Sequence, residues 1–223
     1  GHFMDKPLLG QLVQLAVHRC YAIRMMPHEV DIADIHDKWD QAYADAMKLI
    51  VDGNEDKGKE ILEELYLKKY NRAGHTLSYG YGAGWFGEPD PKKYLSLVYA
   101  LVLKGYSAAF SDYGFCYDCG IVVKKSMRWA LYWYRKAADY DDEAQNILGL
   151  CYEEGLGVLK DYEKAYYWFQ LAVKNGAGAC AEHNLARCFR LGRGISEDKE
   201  MANKYEALAV KHGFHKKDKG TVI

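Results

Sequence analysis

The sequence predicts an all-α array of helix–turn–helix repeats, and three observations carry that prediction. The first is self-similarity. LGLCYEEGLGVLKDYEKAYYWFQLAV, residues 148–173, returns 37 residues later as LARCFRLGRGISEDKEMANKYEALAV. It also occurs 35 residues earlier as YGFCYDCGIVVKKSMRWALYWYRKAA, and 36 before that as LSYGYGAGWFGEPDPKKYLSLVYALV. Four repeats align without internal gaps, and a period of this size means stacked supersecondary modules. The second is punctuation: 4 prolines against 21 glycines and 19 tyrosines give many turns, few helix breaks and many amphipathic rings. The third is composition. A hydrophobic fraction of 49% is that of a folded globular chain, which argues against wholesale disorder. With 31 acidic and 30 basic side chains, the net charge of −1 provides no global field toward nucleic acid or an anionic membrane.

The elements follow in order. Residues 1–28 comprise an expression scar, Gly1-His2-Phe3 before Met4, and an amphipathic helix over residues 6–26 ended near Pro27. Gln11, Gln14, His18 and Arg19 interrupt its apolar stretch, unlike the core of a signal peptide. No uncharged run approaches the roughly 20 residues that span a bilayer, so membrane insertion is not expected. The cytoplasm is the default compartment, although a leader trimmed before expression is compatible with the scar. Residues 29–72 read as a degenerate, tetratricopeptide-like helical pair. There Ile61 and Leu65 sit 36 residues before Leu97 and Leu101, and Asp52-Gly53-Asn54 forms a short turn. An array needs modified ends, so this segment is either a cap or a docking element. Residues 73–213 hold the four repeats, and 214–223 form a polar, frayed tail.

Within each repeat, Ala73, Ala109, Ala144 and Ala181 open a first helix. Leu77, Tyr113, Leu148 and Leu185 follow four residues on, then Tyr81, Tyr117, Tyr152 and Phe189, making one apolar stripe. Gly84, Gly120, Gly155 and Gly192 stand where a left-handed residue ends the helix. Asp90, Ser126, Asp161 and Asp198 suit the cap of a second helix. That helix is expected to bury Leu97, Trp133, Trp168 and Tyr205, then Leu101, Ala137, Ala172 and Ala209.

This pattern resembles the Sel-1-like repeat, a relative of the tetratricopeptide repeat. The third repeat matches it at Ala144, Leu148, Gly149, Tyr152, Gly155, Gly157, Val158, Asp161, Lys164, Ala165, Trp168 and Ala172. The fourth matches well, the second has Val122 and Trp129 at landmark positions, and the first diverges at Phe86, Tyr94 and Leu97. The likeness runs from Ala73 to Gly213. It implies a right-handed α/α superhelical solenoid. For function it implies a non-catalytic scaffold or adaptor that binds a protein or peptide partner in its concave groove.

Three other signals invite chemistry. Gly82-Ala83-Gly84-Trp85-Phe86-Gly87 spells the glycine pattern of a dinucleotide loop, but that loop needs a preceding strand, and NRAGHTLSYG is helical. Cys116 and Cys119 form a CxxC. Because Cys116, Cys151 and Cys188 share one core position in the repeat and no second CxxC exists, structural thiols are expected. Some secreted members of the resembling family pair cysteines across successive helices. Ala172 or Val173 occupies the place of such a partner to Cys180, which favours a reducing setting. The eight histidines show no HExxH, and no P-loop or GxSxG occurs. No catalytic residue, metal or cofactor is therefore assigned.

The binding face is expected opposite the buried stripe. Counting each landmark alanine as one, the third, seventh and tenth positions are twelve residues; beside Gly82 and Ser111 they give the candidate contacts His75, Tyr79, Phe115, Asp118, Asn146, Leu150, Glu153, His183, Arg187 and Arg190. Tyr79, Phe115 and Leu150 would be apolar anchors, and the arginines a basic end for a carboxylate or acidic segment. Curvature burying Phe115 and Leu150 between neighbouring helices is the competing reading. An inhibitor or immunity-type protein occluding a toxin or enzyme is an alternative function. A hydrolase of β-lactam-type substrates, a role linked to some relatives, is another, and self-association through the N-terminal helices is a third route to a partner.

Overall fold

A computed structural model describes residues 38–214, so the helix expected over residues 6–26 and the tail 215–223 lie outside the described residues. The described chain is all helix. In order these are α1 (Lys38–Val51), α2 (Glu55–Leu67), α3 (Asn71–Ala83), α4 (Pro91–Leu103) and α5 (Ala108–Cys119). They continue with α6 (Met127–Ala137), α7 (Asp142–Glu154), α8 (Tyr162–Asn175), α9 (Gly178–Leu191) and α10 (Lys199–Lys211). Among the described residues, 38–126 belong to one compact unit and 127–214 to another. Inside each, consecutive helices pack on one another, the arrangement of an all-α solenoid.

The repeat is visible bond by bond. At the end of each first helix a left-handed glycine closes the turn. Gly84, Gly120, Gly155 and Gly192 have φ between 63° and 79°, and the next residue's N–H reaches back to Gly80, Cys116, Cys151 or Cys188 O. The N–H of Asp90, Ser126, Asp161 and Asp198 then bonds the carbonyl of the landmark aromatic, Tyr81, Tyr117, Tyr152 or Phe189, at 2.8–3.0 Å. Asp90, Asp161 and Asp198 accept first-turn N–H groups as caps at 2.9–3.1 Å.

The second turn glycine serves stacking. A Cβ at Gly157 would fall 2.8 Å from Leu131 Cδ1 and 2.9 Å from Met127 Cβ, both on α6. One repeat later, a Cβ at Gly194 would overlap the Tyr162 carbonyl at the start of α8. The turn thus rides on the second helix of the preceding repeat. Val122 occupies this position in the second repeat and keeps the left-handed backbone, at φ 61°. A β-branched residue there is strained, so Val122→Gly is expected to stabilise by about 1 kcal/mol, read as a higher urea midpoint. In the first repeat Gly80 replaces the core cysteine, and the Phe86 ring fills the space its Cβ would take.

The landmark alanines are all fully buried, and Leu77, Tyr113, Leu148 and Leu185 nearly so. Leu101, Ala137, Ala172 and Ala209 are also fully buried. One expectation is corrected. Leu97, Trp133, Trp168 and Tyr205 are only half-buried, whereas the residue after each of the first three (Val98, Tyr134 and Phe169) is at most 1% exposed. The buried stripe of the second helix runs through Tyr94, Val98 and Leu101, or Ala165, Phe169 and Ala172, at four- and three-residue steps. The landmark ring lies on the shoulder of that stripe. In the last repeat the equivalent of Phe169 is Glu206, which is drawn into polar contacts instead.

Candidate functional site

The expected face consists of first-helix side chains, and neighbouring first helices pair them in a fixed register. In the N-terminal unit His75 on α3 shares a 2.6 Å hydrogen bond through Nε2 with Asp112 on α5. Tyr79 OH donates to both oxygens of the same carboxylate, at 2.9 and 3.1 Å. Asp112 is buried, and its carboxylate is compensated by these donors. Tyr43 on α1 bonds Thr76 at 2.8 Å, continuing the seam by one helix.

In the C-terminal unit Asn184 on α9 donates to Asn146 on α7 at 2.8 Å. The third position of one repeat therefore meets the fourth of the next, as His75 meets Asp112. Further along, Glu153 at the end of α7 is fully buried and held by two guanidinium groups. Arg187 Nε donates to Oε1 at 3.2 Å while its Nη2 bonds Oε2, and Arg193 Nη1 donates to Oε1 at 2.7 Å. Arg187 and Arg193 remain 29% and 32% exposed, so each offers part of its fork to solvent. Arg190 and His183 meet Glu206 of α10 at 3.3 and 3.0 Å, and Phe214 stacks on the His183 ring at 4.0 Å.

Asn146 and Glu153 were expected on an open surface and are buried. The reason is geometric: the adjacent first helix covers the third and tenth positions, so the three positions do not form one solvent-facing strip. His75, Tyr79, His183 and Arg187 are half-buried within the seams, and Arg190 is exposed. Phe115 and Asp118 are half-buried on α5, and Leu150 is half-buried against the cluster of Phe169, Leu185 and Phe189. Sequence reasoning missed Asp112, Arg193 and Glu206. Asp112 was findable, because it puts a charge where the other repeats have Thr76, Ile147 and Asn184. Arg193 and Glu206 lie outside the first helices, in the turn after α9 and on α10.

Electrostatically Arg187 and Arg193 pair with Glu153 and Arg190 with Glu206, and Glu154 also acts on Arg193. Burial, the largest influence, pulls the His183 imidazole below its ordinary value of 6.5 despite Glu206. Burial works against ionisation of Glu206, but the charges and hydrogen bonds of His183 and Arg190 outweigh it and lower its pKa below 4.5. Both shifts place excess protons on the unfolded chain. Stability should therefore fall as pH drops below about 6.5, and further below about 4.5. Thermal melts between pH 8 and 4 should show this decline, and His183→Gln should flatten its upper part.

The remaining candidates resolve structurally. Gly82 lies inside α3 against the Tyr94 ring, and Gly84 is the helix-ending residue, so a helix precedes the glycine motif where a nucleotide loop needs a strand. Cys116, Cys119, Cys151 and Cys188 are free thiols. Burial, reinforced by Asp112, raises the Cys116 thiol well above its ordinary value, while burial and Glu153 push Cys188 up to about 12. Neither is a poised thiolate. Cys180 is disulfide-bonded, so the absence of a cysteine at Ala172 or Val173 does not leave it a reduced thiol, and a reducing setting does not follow from it. Among the described residues no cluster of three His, Cys, Asp or Glu could hold a metal, and no helix is long and apolar enough to cross a membrane.

Comparison with known proteins agrees with the repeat. Residues 111–140, 142–176 and 181–214 each match the Sel1 repeat. A Sel1 repeat protein from Oxalobacter formigenes is similar in structure, with a TM-score of 0.68 and 25% identity over 77% of this chain and 70% of that one. A protective antigen of uropathogenic Escherichia coli strains, displaying an SLR fold, gives a TM-score of 0.64 and 27% identity over 70% of this chain. That match spans only 33% of the antigen. No curated protein matches significantly. Sel1-repeat proteins are generally protein-interaction scaffolds and typically non-catalytic.

Proposed function

We propose that this chain, which carries three Sel1 repeats, is a non-catalytic interaction scaffold, and that the first-helix face of its C-terminal unit receives an acidic segment of a protein partner. The observation behind this reading is the partial exposure of three arginines clustered at one face. Glu153 is fully buried, while the side chains of Arg187, Arg190 and Arg193 remain 29%, 39% and 32% exposed. A carboxylate from a partner would complete that arrangement with charge-assisted bonds, and Leu150 would offer apolar contact beside it.

Affinity capture from native lysate, read by mass spectrometry, tests the reading. Arg190 is the informative position, because it is exposed and is not one of the groups holding Glu153. Arg190→Glu is expected to weaken capture of the partner at least tenfold, as loss and reversal of one charged contact of about 1.5–3 kcal/mol requires. Equal capture by wild type and Arg190→Glu would remove the basic face from the account. Turnover of a chromogenic β-lactam, abolished by a single substitution, would replace the scaffold with the hydrolase reading.

A further inference from the structure

The second helix of the second repeat, α6, has an outward face that the first-helix seams do not use. The helix buries Ala130, Leu131, Tyr134 and Ala137. At about 100° per residue, Arg128, Trp129, Tyr132, Arg135 and Lys136 fall within about 120° on the opposite side, and all five are exposed. A solvated protein surface ordinarily intersperses both signs of charge. This helix holds three cations and no carboxylate. Its neighbours do not neutralise it either. Arg135 bonds the Tyr152 hydroxyl at 3.3 Å and the Lys136 ammonium lies 5.4 Å above the Tyr132 ring. Among the described residues no carboxylate pairs with Arg128, Arg135 or Lys136.

Between the cations, Trp129 and Tyr132 are 51% and 45% exposed. The rings meet edge to face, Trp129 with Tyr132 at 5.8 Å and 83°, Tyr132 with Trp133 at 5.1 Å and 85°. Rings set at right angles offer no run of parallel faces on which successive nucleic-acid bases would stack. Amphipathic Trp and Tyr rings flanked by Arg and Lys are the side chains that suit the headgroup zone of a bilayer. A bare aliphatic side chain borders the same helix. The turn after α7 packs on α6, where a Cβ at Gly157 would meet Leu131 and Met127. Two residues on, Leu159 is 91% exposed, and Leu156 on the other side of Gly157 is exposed as well. Leaving Leu159 in water forfeits about 1.5–3 kcal/mol of burial. These groups lie on one outward helix face and its bordering turn, a geometry that meets an extended surface, whereas a peptide segment is held in a groove or along a strand edge.

We infer that α6 and the turn bearing Leu159 rest on an anionic lipid surface. Arg128, Arg135 and Lys136 meet headgroup phosphates, Trp129 and Tyr132 take the boundary between headgroups and acyl chains, and Leu159 reaches into the apolar layer. The chain lies on the bilayer and does not cross it, in keeping with the absence of a membrane-spanning helix among the described residues. The net charge of −1 does not oppose this contact. Surface potential decays within a Debye length of about 8 Å, so the patch that touches the lipid decides the attraction. The surface belongs to a second helix and is separate from the arginines of the proposed partner face.

The test is co-sedimentation of the full chain with vesicles of equal parts phosphatidylglycerol and phosphatidylcholine, beside vesicles of phosphatidylcholine alone. The anionic vesicles are expected to bind at least about tenfold more strongly, as three cations near a charged surface imply, and to release the chain as salt is raised. The Arg128→Glu, Lys136→Glu variant should lose at least about tenfold in binding, and Leu159→Ser should lose several-fold. All three positions are exposed, and an unchanged helical circular dichroism signal verifies that the variants are folded. Arg190→Glu should leave vesicle binding unchanged, which separates this inference from the proposed function. No binding, equal binding to both vesicle types, or equal binding by the charge-reversed variant would overturn the proposal. So would capture of oligothymidylate or polyglutamate without vesicle binding, lost in the charge-reversed variant, which would give the face to a nucleic acid or an acidic peptide.

Discussion

Replacing both Arg187 and Arg193 by methionine should cost about 3–5 kcal/mol of stability, the scale on which stripping partners from a buried charge is felt. Glu153 is fully buried, and these guanidinium groups are the partners shown for both of its oxygens. Without them the carboxylate must take up a proton or pull the end of α7 toward water. Methionine keeps much of the arginine stem, so the loss reports charge and hydrogen bonding more than volume. Adding Glu153→Gln to the double variant should recover most of the loss, because the amide removes the uncompensated charge. The reverse order gives a smaller effect. Glu153→Gln alone leaves two guanidinium groups that are already about one-third exposed and can rehydrate, and should cost about 1–2 kcal/mol. Urea unfolding of the four proteins measures this asymmetry. A triple variant as unstable as the double variant would show that the carboxylate is not the source of the cost.

Gly194→Ala should be among the most damaging single-methyl substitutions in the chain, and Gly105→Ala supplies its control. Both glycines are left-handed, at φ 73° and 71°, so alanine meets the same backbone strain of about 1 kcal/mol at each. Their surroundings differ. A Cβ at Gly105 meets nothing within 4 Å, whereas at Gly194 it overlaps the Tyr162 carbonyl at the start of the preceding repeat's second helix. Backbone cannot rotate aside as a side chain can, so about 1–3 kcal/mol of overpacking is added. Gly194→Ala should therefore exceed Gly105→Ala by about that amount in urea unfolding. Equal losses would mean that the repeat interface yields at no cost and the turn glycine is there for φ alone.

The repeat was legible because its determinants are local. A glycine at the helix end, an aspartate or serine at the next start and a buried alanine each recur at a fixed spacing; the glycine turns and the three aspartate caps make the bonds their positions imply. The second-helix stripe was misplaced by one residue for a physical reason. A Trp such as Trp168 looks like the most buried residue, but its size lets it cover the shoulder of the stripe while Phe169 fills the centre. The face was less legible. An ideal helix considered alone leaves the third and tenth positions open, and only the neighbouring helix turns them into a polar seam. Asn146 and Glu153 are surface residues by pattern and interior residues by stacking. Glu153 carries its partners 34 and 40 residues away, so no window of one repeat contains the whole cluster.

In the proposed function the first-helix side of the C-terminal unit touches the partner. Photo-crosslinking tests it most directly, with benzoylphenylalanine placed at Leu150 or Arg190 on first helices and at Tyr167, exposed on α8, as the contrast. After irradiation in native lysate, the account predicts one shared crosslinked protein from the Leu150 and Arg190 probes and none of it from Tyr167. Crosslinks to that protein from Tyr167 alone would contradict the account and move the interface to the second helices.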